Sequence, residues 1–343
     1  MTLTLAYSAS AGHFLATSVG RGIWSDQIDP RYLALGNLLN VTSSAANIAA
    51  ANARIPGINL PYSNFSGTIG QMLRPFPQYS SVTDVWGDIG NSAYHSLQVM
   101  LNQRLAAGLT FNISYTRSKE LDDVLGSAGR TAYNAAIEKA VGTIDRPNVF
   151  SGTFSYRLPF GTGHRIAGGN GFVARLVSNW ELAGITTFSS GQPLTITSTA
   201  CNAPQTGSEC LPNYNTAFTG PVTINGGLSS GAGNIIASAG APAVAYIAKP
   251  AFLDPPAYTF GNLPRTLPYG LRAPSTWDQD LTIRRQFGIT ERVKLIFALD
   301  SFNVFNTVNF GGVSTNIDSA SFGQVTTQAN APRKLQIDAR VNF

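Results

Sequence analysis

The chain has 343 residues, with 23 Lys or Arg against 18 Asp or Glu, a formal net charge of +5. Only 12% of residues are charged, about half the share usual in soluble globular proteins, and no apolar run reaches the roughly 18 residues a membrane helix needs. A helical membrane protein is therefore excluded, the lack of a Lys/Arg cluster gives nucleic-acid binding little support, and 34 Gly with 19 Pro point to many turns and long loops.

Met1 is followed by Thr2-Leu3-Thr4-Leu5-Ala6-Tyr7-Ser8-Ala9-Ser10, with neither a basic start nor an apolar stretch behind it. No secretory signal is read there, so the chain is expected either to be cytosolic or to begin inside a longer one. Leu3 to Ala9 alternates instead, and a period of two marks a strand with one apolar and one polar face. Val82 to Ile89 reads as an extension paired outside the membrane. In Tyr94 to Leu105, Leu97, Val99, Leu101 and Leu105 oppose Ser96, Gln98, Asn102 and Arg104, with Met100 on the polar side. Leu109, Phe111, Ile113 and Tyr115 then alternate with Thr110, Asn112 and Ser114.

Between Phe150 and Leu158, Phe150, Phe154, Tyr156 and Leu158 face away from Ser151, Thr153, Ser155 and Arg157. Trp180 to Phe188 is a weaker match, because Gly184 and Thr186 fall on its apolar face and Ile185 on the other. Trp277, Leu281, Ile283 and Phe287 oppose Asp278, Asp280, Thr282, Arg284 and Gln286. Val293, Leu295, Phe297 and Leu299 oppose Lys294, Ile296, Ala298 and Asp300. The chain ends on Leu335, Ile337, Ala339, Val341 and Phe343, separated by Gln336, Asp338, Arg340 and Asn342. About eight crossings of about ten residues each suit strands that traverse a membrane at a tilt.

The connections support the same reading. Ala106-Ala107-Gly108 and Gly288-Ile289-Thr290-Glu291 are tight, whereas Gly12 to Ser80, Lys119 to Arg146, Gly191 to Thr276 and Asn306 to Arg333 are long. Counted back from the end, short and long alternate, with Pro159 to Ser178 an intermediate member of the short set. Outer-membrane barrels have short periplasmic turns and long outside loops, and the parity puts the carboxy terminus on the short-turn side. Trp277 and Phe287, Tyr156 and Phe160, and Trp180 and Phe188 stand at strand ends as interfacial girdles require. Core aromatics of a β-sandwich are the competing reading. Arg285 is in phase with Leu281 and Ile283; on a lipid face it costs about 2–4 kcal/mol at the midplane but about 0–1 near an interface. Its place two residues from the strand end suits the interface.

Several short motifs carry a family resemblance. They are Gln71-Met72-Leu73-Arg74-Pro75-Phe76-Pro77-Gln78-Tyr79, Ala93-Tyr94-His95-Ser96-Leu97-Gln98 with Asn102-Gln103-Arg104, Gly108-Leu109-Thr110-Phe111, and Ser114-Tyr115-Thr116-Arg117-Ser118-Lys119 followed by Asp122-Asp123. Leu158-Pro159-Phe160-Gly161, Trp180-Glu181-Leu182-Ala183-Gly184 and Ser190-Gly191-Gln192-Pro193 come next, then Phe302-Asn303-Val304-Phe305-Asn306, Phe322-Gly323-Gln324, and Arg333-Lys334-Leu335-Gln336 running to Phe343. In this order, over almost the whole chain, they resemble the carboxy-terminal barrel segment of TonB-dependent outer-membrane receptors of the Oar-like type common in acidobacteria. One departure is Asp145-Arg146-Pro147-Asn148, where the family usually has a histidine after Asp-Arg. The resemblance implies about the last third of a barrel of about 22 strands that encloses a plug. It also implies that Phe343 is the signal read by the barrel assembly machinery.

Little else suggests chemistry. Cys201 and Cys210 lie in an Asn-, Pro-, Gly- and Ser-rich stretch; a local disulfide across an exposed loop is the preferred reading, two unpaired thiols the alternative. His13, His95 and His164 are scattered without partners at ligand spacing; His13 and His164 read as turn residues and His95 as the start of a strand. Glu120, Asp122 and Asp123 form an acidic cluster that reads as a solvated loop, with calcium a remote option. Gly161-Thr162-Gly163 and Gly168-Gly169-Asn170-Gly171 read as a flexible turn, since no Lys follows and no helix is apparent. Ser189-Ser190-Gly191 is not a nucleophile elbow. Arg104, Arg157, Asp278, Asp280, Arg284, Lys294 and Asp300 are expected to pair across strands or line a path.

The expectation is an all-β chain: a transmembrane antiparallel β-barrel, partial and open, spanning residues 1–343 as one unit with no plug domain and no signal peptide. Its expected place is the outer membrane, and its function that of a receptor and transporter barrel whose outside loops capture ligand for energised uptake. No catalytic, cofactor or metal site is expected. The expected partners are membrane lipid, the barrel assembly machinery and, only through a plug absent here, the TonB system; nucleic acid is not one. The alternatives are a closed eight-stranded anchor or adhesin and a soluble β-sandwich that binds carbohydrate.

Overall fold

The structure, a computed structural model, describes residues 1–15, 26–80, 82, 88–106, 108–123, 129–161, 164, 166, 169, 171–207, 209–224, 244–290 and 292–343. Eight long strands make one antiparallel sheet: β1 (Thr2–Leu15), β2 (Gly90–Ala106), β3 (Leu109–Asp122), β4 (Asn148–Arg157), β5 (Trp180–Ser189), β6 (Thr276–Gly288), β7 (Lys294–Phe302) and β8 (Lys334–Asn342). They pair in chain order from β1 to β8, and Ala140–Val141 adds two residues alongside the end of β3. Each alternating segment of the sequence falls on one of these strands. The extension expected over Val82 to Ile89 lies mostly outside the described residues.

Directly opposed residues of an antiparallel pair share a face, so the register decides whether the eight apolar stripes merge. Leu5 opposes Val99, Val99 opposes Tyr115, Tyr115 opposes Phe150, Phe150 opposes Phe188, and Phe188 opposes Trp277. One apolar row thus crosses six strands. The row beside it reads Thr4, Met100, Ser114, Ser151, Thr187 and Asp278, on the other face. Nearer the carboxy terminus Leu182, Ile283, Leu299 and Ile337 oppose one another in turn. Trp277 to Phe287 spans about 33 Å at about 3.3 Å per residue, or about 25 Å of membrane normal at a tilt of about 40°. That matches the apolar band of an outer-membrane barrel.

The weak alternation of β5 has a packing explanation. The ring of Phe154 on β4 lies over Gly184, where an added Cβ would sit 2.7 Å from a ring carbon. The neighbouring aromatic supplies the apolar surface that the glycine lacks, as aromatic rescue of sheet glycines does.

The connections that leave β1, β3, β5 and β7 are long; at the opposite end those that leave β2 and β6 are short and the one that leaves β4 is intermediate. β1 and β8 are the two end strands of the sheet, so the barrel is not closed. This differs from the closed eight-stranded alternative. The sandwich alternative fails too, because the long strands form a single sheet.

Among the described residues the buried apolar clusters lie in the long connections rather than beneath the sheet. One joins Ile28, Leu35, Leu39, Ile58, Ile69 and Met72 around α1 (Ala45–Arg54) and the single turn α2 (Ile69–Met72). Both helices start on side-chain caps: Ser44 accepts from the Asn47 amide and Thr68 from that of Gln71. The other gathers Leu194, Ile196, Leu211, Ile247, Phe252 and Leu263 with Phe310, Phe322 and Val325. The loops therefore fold into a cap at one end of the wall.

The apolar face gives a direct test. Leu281→Arg should lower stability in lipid vesicles by about 2–4 kcal/mol, read by denaturant unfolding, whereas Gln336→Arg on the polar face should leave it nearly unchanged.

Candidate ligand-facing surface

The polar face of the wall is hollowed by grooves. One of about 900 Å³ is lined by Thr2, Asn102, Arg104, Asn112 and Thr153, and one of about 340 Å³ by Thr282, Arg284, Asp300, Asp338 and Arg340. The cross-strand charge pairing expected here is sparse. Arg284 pairs with Glu181 at 3.2 Å, and Glu181 also accepts from Ser155 at 2.7 Å. Asp278, Asp280 and Asp300 instead accept hydrogen bonds from the Asn309 side chain, the Asn303 backbone and the Thr282 hydroxyl, at 2.7–2.9 Å. Among the described residues no ion pair holds Arg104, Arg157 or Lys294. The wall is thus lined by hydrogen-bonding groups and by cations that no carboxylate among the described residues pairs.

Above it sits the cap, braced by arginines, of which Arg74, Arg130 and Arg265 are buried and Arg272 half-buried. Arg130 contacts Glu138 at 3.0 Å and donates to the carbonyls of Gly261, Leu263 and Ile137 at 2.6–3.2 Å. Arg265 pairs with Asp122 at the end of β3 and donates to the carbonyl of Glu138. Burial pushes the Arg265 guanidinium below its ordinary pKa, opposed by the charge of Glu120. Arg272 pairs with Asp145 at 2.8 Å, while Asp145 also accepts the Glu120 amide. Arg74 pairs with Asp26 at 3.3 Å and ties the Pro75–Tyr79 turn by donating to the carbonyls of Tyr79 and Ser80. Each cation is a planar multiple donor that satisfies several carbonyls at once, which makes such charges tolerable indoors.

Between cap and wall lies a cleft of about 500 Å³, lined among others by Ser96, Ser118, Asp145, Leu267 and Arg272. Gly191 fixes the cap's other attachment: a Cβ there would lie 1.6 Å from the carbonyl oxygen of Ala273. The Ala273 amide donates to Gln192 next door. This close approach explains the glycine of the Ser190–Pro193 motif.

The residues singled out from sequence are dispersed. Cys201 and Cys210 are bonded within the cap, with Cα atoms 5.6 Å apart, and both are half-buried. Phe343 is fully exposed at the opposite, short-turn end, in phase with the apolar face. The acidic cluster is not a solvated loop: Asp122 is buried against Arg265, and Asp123 accepts from the Asn91 amide and side chain at 2.8 Å. His13 lies inside β1 rather than in a turn, against the Asn91 side chain at 2.9 Å. His95 lies well inside β2, 2.7 Å from the Tyr7 hydroxyl, and among the described residues no His, Cys, Asp and Glu side chains group as metal ligands. The glycine-rich turn leads directly into a helix, α3 (Phe172–Val177), that the sequence reading did not foresee. Arg74, Asp122 and Asp145 stood in the motifs, but their pairing was not read from them: Asp122 and Arg265, for example, are 143 residues apart. The signal that was available is the scarcity of charge: in a chain only 12% charged, arginines among apolar loop residues are candidates for buried pairs.

A continuous antiparallel sheet with one apolar face, one polar face and alternating short and long connections defines a membrane β-barrel wall. In agreement, the family model described as an outer membrane beta barrel domain matches residues 2–336. The chain belongs to this family, and its place is the outer membrane. No curated protein matches it.

Two measurements probe the cap. Glu138→Ala strands the buried Arg130 guanidinium and should cost about 3–5 kcal/mol, seen as faster hydrogen exchange in residues 129–147 and 261–267 with the wall unchanged. Asp318 accepts from the Thr199 amide and hydroxyl and from Ser198, which holds its carboxyl below the ordinary 3.8. Its contribution is complete above that ordinary value and is lost as pH falls through the lower folded one. Asp318→Asn should therefore loosen the Ser198–Thr199 segment at pH 7, and the difference from the parent should vanish in strong acid.

Proposed function

We propose that this chain is the carboxy-terminal wall and outer cap of a TonB-dependent receptor barrel of the Oar-like type. The cap captures a ligand, the hydrogen-bonding wall guides it, and a plug energised through TonB releases it inward. The candidate ligands are an iron chelate, an oligosaccharide and a peptide. The observation that carries the reading is where the resembling motifs sit. Gln71–Tyr79 is closed by Arg74, Asp145 of the pre-strand motif holds Arg272, and Ser190–Pro193 makes the close approach at Gly191. Asn303 and Asn306 of Phe302–Asn306 take left-handed turn conformations after β7, with φ of 51° and 54°. Of the motifs, the pre-strand Asp145 and Ser190–Pro193 join wall to cap, while most of the others lie within the strands; no catalytic role is proposed. The open sheet also suits a larger barrel. Membrane lipid, the assembly machinery acting on Phe343, and TonB through a plug are its proposed partners.

The test is uptake by cells that make this chain in its native genetic context. Import of candidate iron chelates, oligosaccharides and peptides should depend on the chain and stop when TonB is removed. Chain-dependent surface adhesion that persists without TonB would overturn the transport reading. Phe343→Ala should lower the amount recovered in outer membranes several-fold, measured by fractionation, without changing the amount synthesised.

A further inference from the structure

We propose that α3 is a membrane-interface element that rests in the periplasmic leaflet and shields Arg285 from lipid. Arg285 lies on the apolar face, opposite Trp180 on β5 and Phe297 on β7, near the short-turn end. It is only 7% exposed. Its guanidinium lies 3.9 Å from the centre of the Phe287 ring and 5.4 Å from that of Trp180. It also donates to the carbonyl of Arg175 in α3 at 2.5 Å, and the Trp180 indole donates to the carbonyl of Leu176 at 3.1 Å. These two bonds, from side chains that share the apolar face, place α3 over that face rather than over the polar one.

What α3 presents away from the wall is mostly apolar, with the exposed Arg175 side chain as its charged part. Phe172 is 80% exposed, Val173 64% and Leu176 50%, while Ala174 is buried. Three large apolar side chains on a helix of 6 residues gain nothing from water. They continue the lipid-facing surface at its lower rim, so the occupant is the phospholipid of the periplasmic leaflet. Short amphipathic helices lie at this depth, with their apolar side at the boundary between headgroups and acyl chains. The arrangement also answers the cost of a lipid-facing arginine: two rings and a helix carbonyl receive the charge, and α3 covers it.

The proposal rests on the chain being inserted as a membrane wall, and the experiment separates the two. The full chain is reconstituted in phosphatidylethanolamine and phosphatidylglycerol vesicles with single nitroxide labels at Phe172→Cys and Leu176→Cys, the two native cysteines being bonded to each other. Phe150→Cys and Ser151→Cys report the lipid-facing and polar faces of the wall. Power-saturation measurements should give oxygen access above nickel-chelate access at 172 and 176, as at 150. If 172 and 176 match 151, the helix is in water and the proposal fails while the wall stands. If 150 is also in water, the wall fails with it. A carbene reagent dissolved in the same vesicles checks the unmodified chain, and a peptide containing 172–176 that takes up no label overturns the proposal.

Discussion

Cross-strand register is the constraint on which the rest depends. A strand's side chains alternate strictly, so a shift of one residue in any ladder would carry a whole apolar stripe to the polar face. Across the pairs from β1 to β6 no such shift intervenes between Leu5 and Trp277. The register irregularities that do occur lie at strand ends, between Gly12 and Leu15 and between Gln103 and Ala106. The merged apolar face follows from that agreement, and so does the division of labour between a lipid-facing surface and a hydrogen-bonding interior.

A wall of this kind buries little by itself, since its apolar side faces lipid and its polar side faces the barrel interior. The protein's own hydrophobic cores consequently sit in the loops. There the usual rule of small domains holds, with apolar side chains packed together and each buried charge paired. Arg130, Arg265 and Arg272 each tie segments remote in sequence, and together with Asp122 and Asp145 they connect the loop cores to the strand ends. The cap is thereby held in a fixed position over the grooved face, which a set of independent flexible loops could not achieve.

At the other end the structure solves a different electrostatic problem. Arg285 breaks the apolar stripe of β6, and the chain meets it locally with aromatic rings and the backbone of a short helix. The two ends of the wall thus share one device, the backbone carbonyl as a partner for arginine. Backbone carbonyls take up arginine charge at both, joined inside the cap by carboxylates and at the short-turn end by ring faces.

The sequence by itself determined the number of long strands, the face of each and the alternation of long and short connections. Period two is a local property that survives in any window of ten residues, and aromatic residues at strand ends mark the interfaces. It also marked the joints, through motifs such as Ser190–Pro193 and Phe302–Asn306. Tertiary structure alone decided that the loops are a packed cap and that Asp122 is buried beneath Arg265 rather than solvated. It alone revealed that Phe154 covers Gly184 and that a helix follows the glycine-rich turn. These depend on contacts between residues far apart in the chain, or on a helix too short for its period to declare itself. Their energy comes from desolvation and close packing, which no local pattern records.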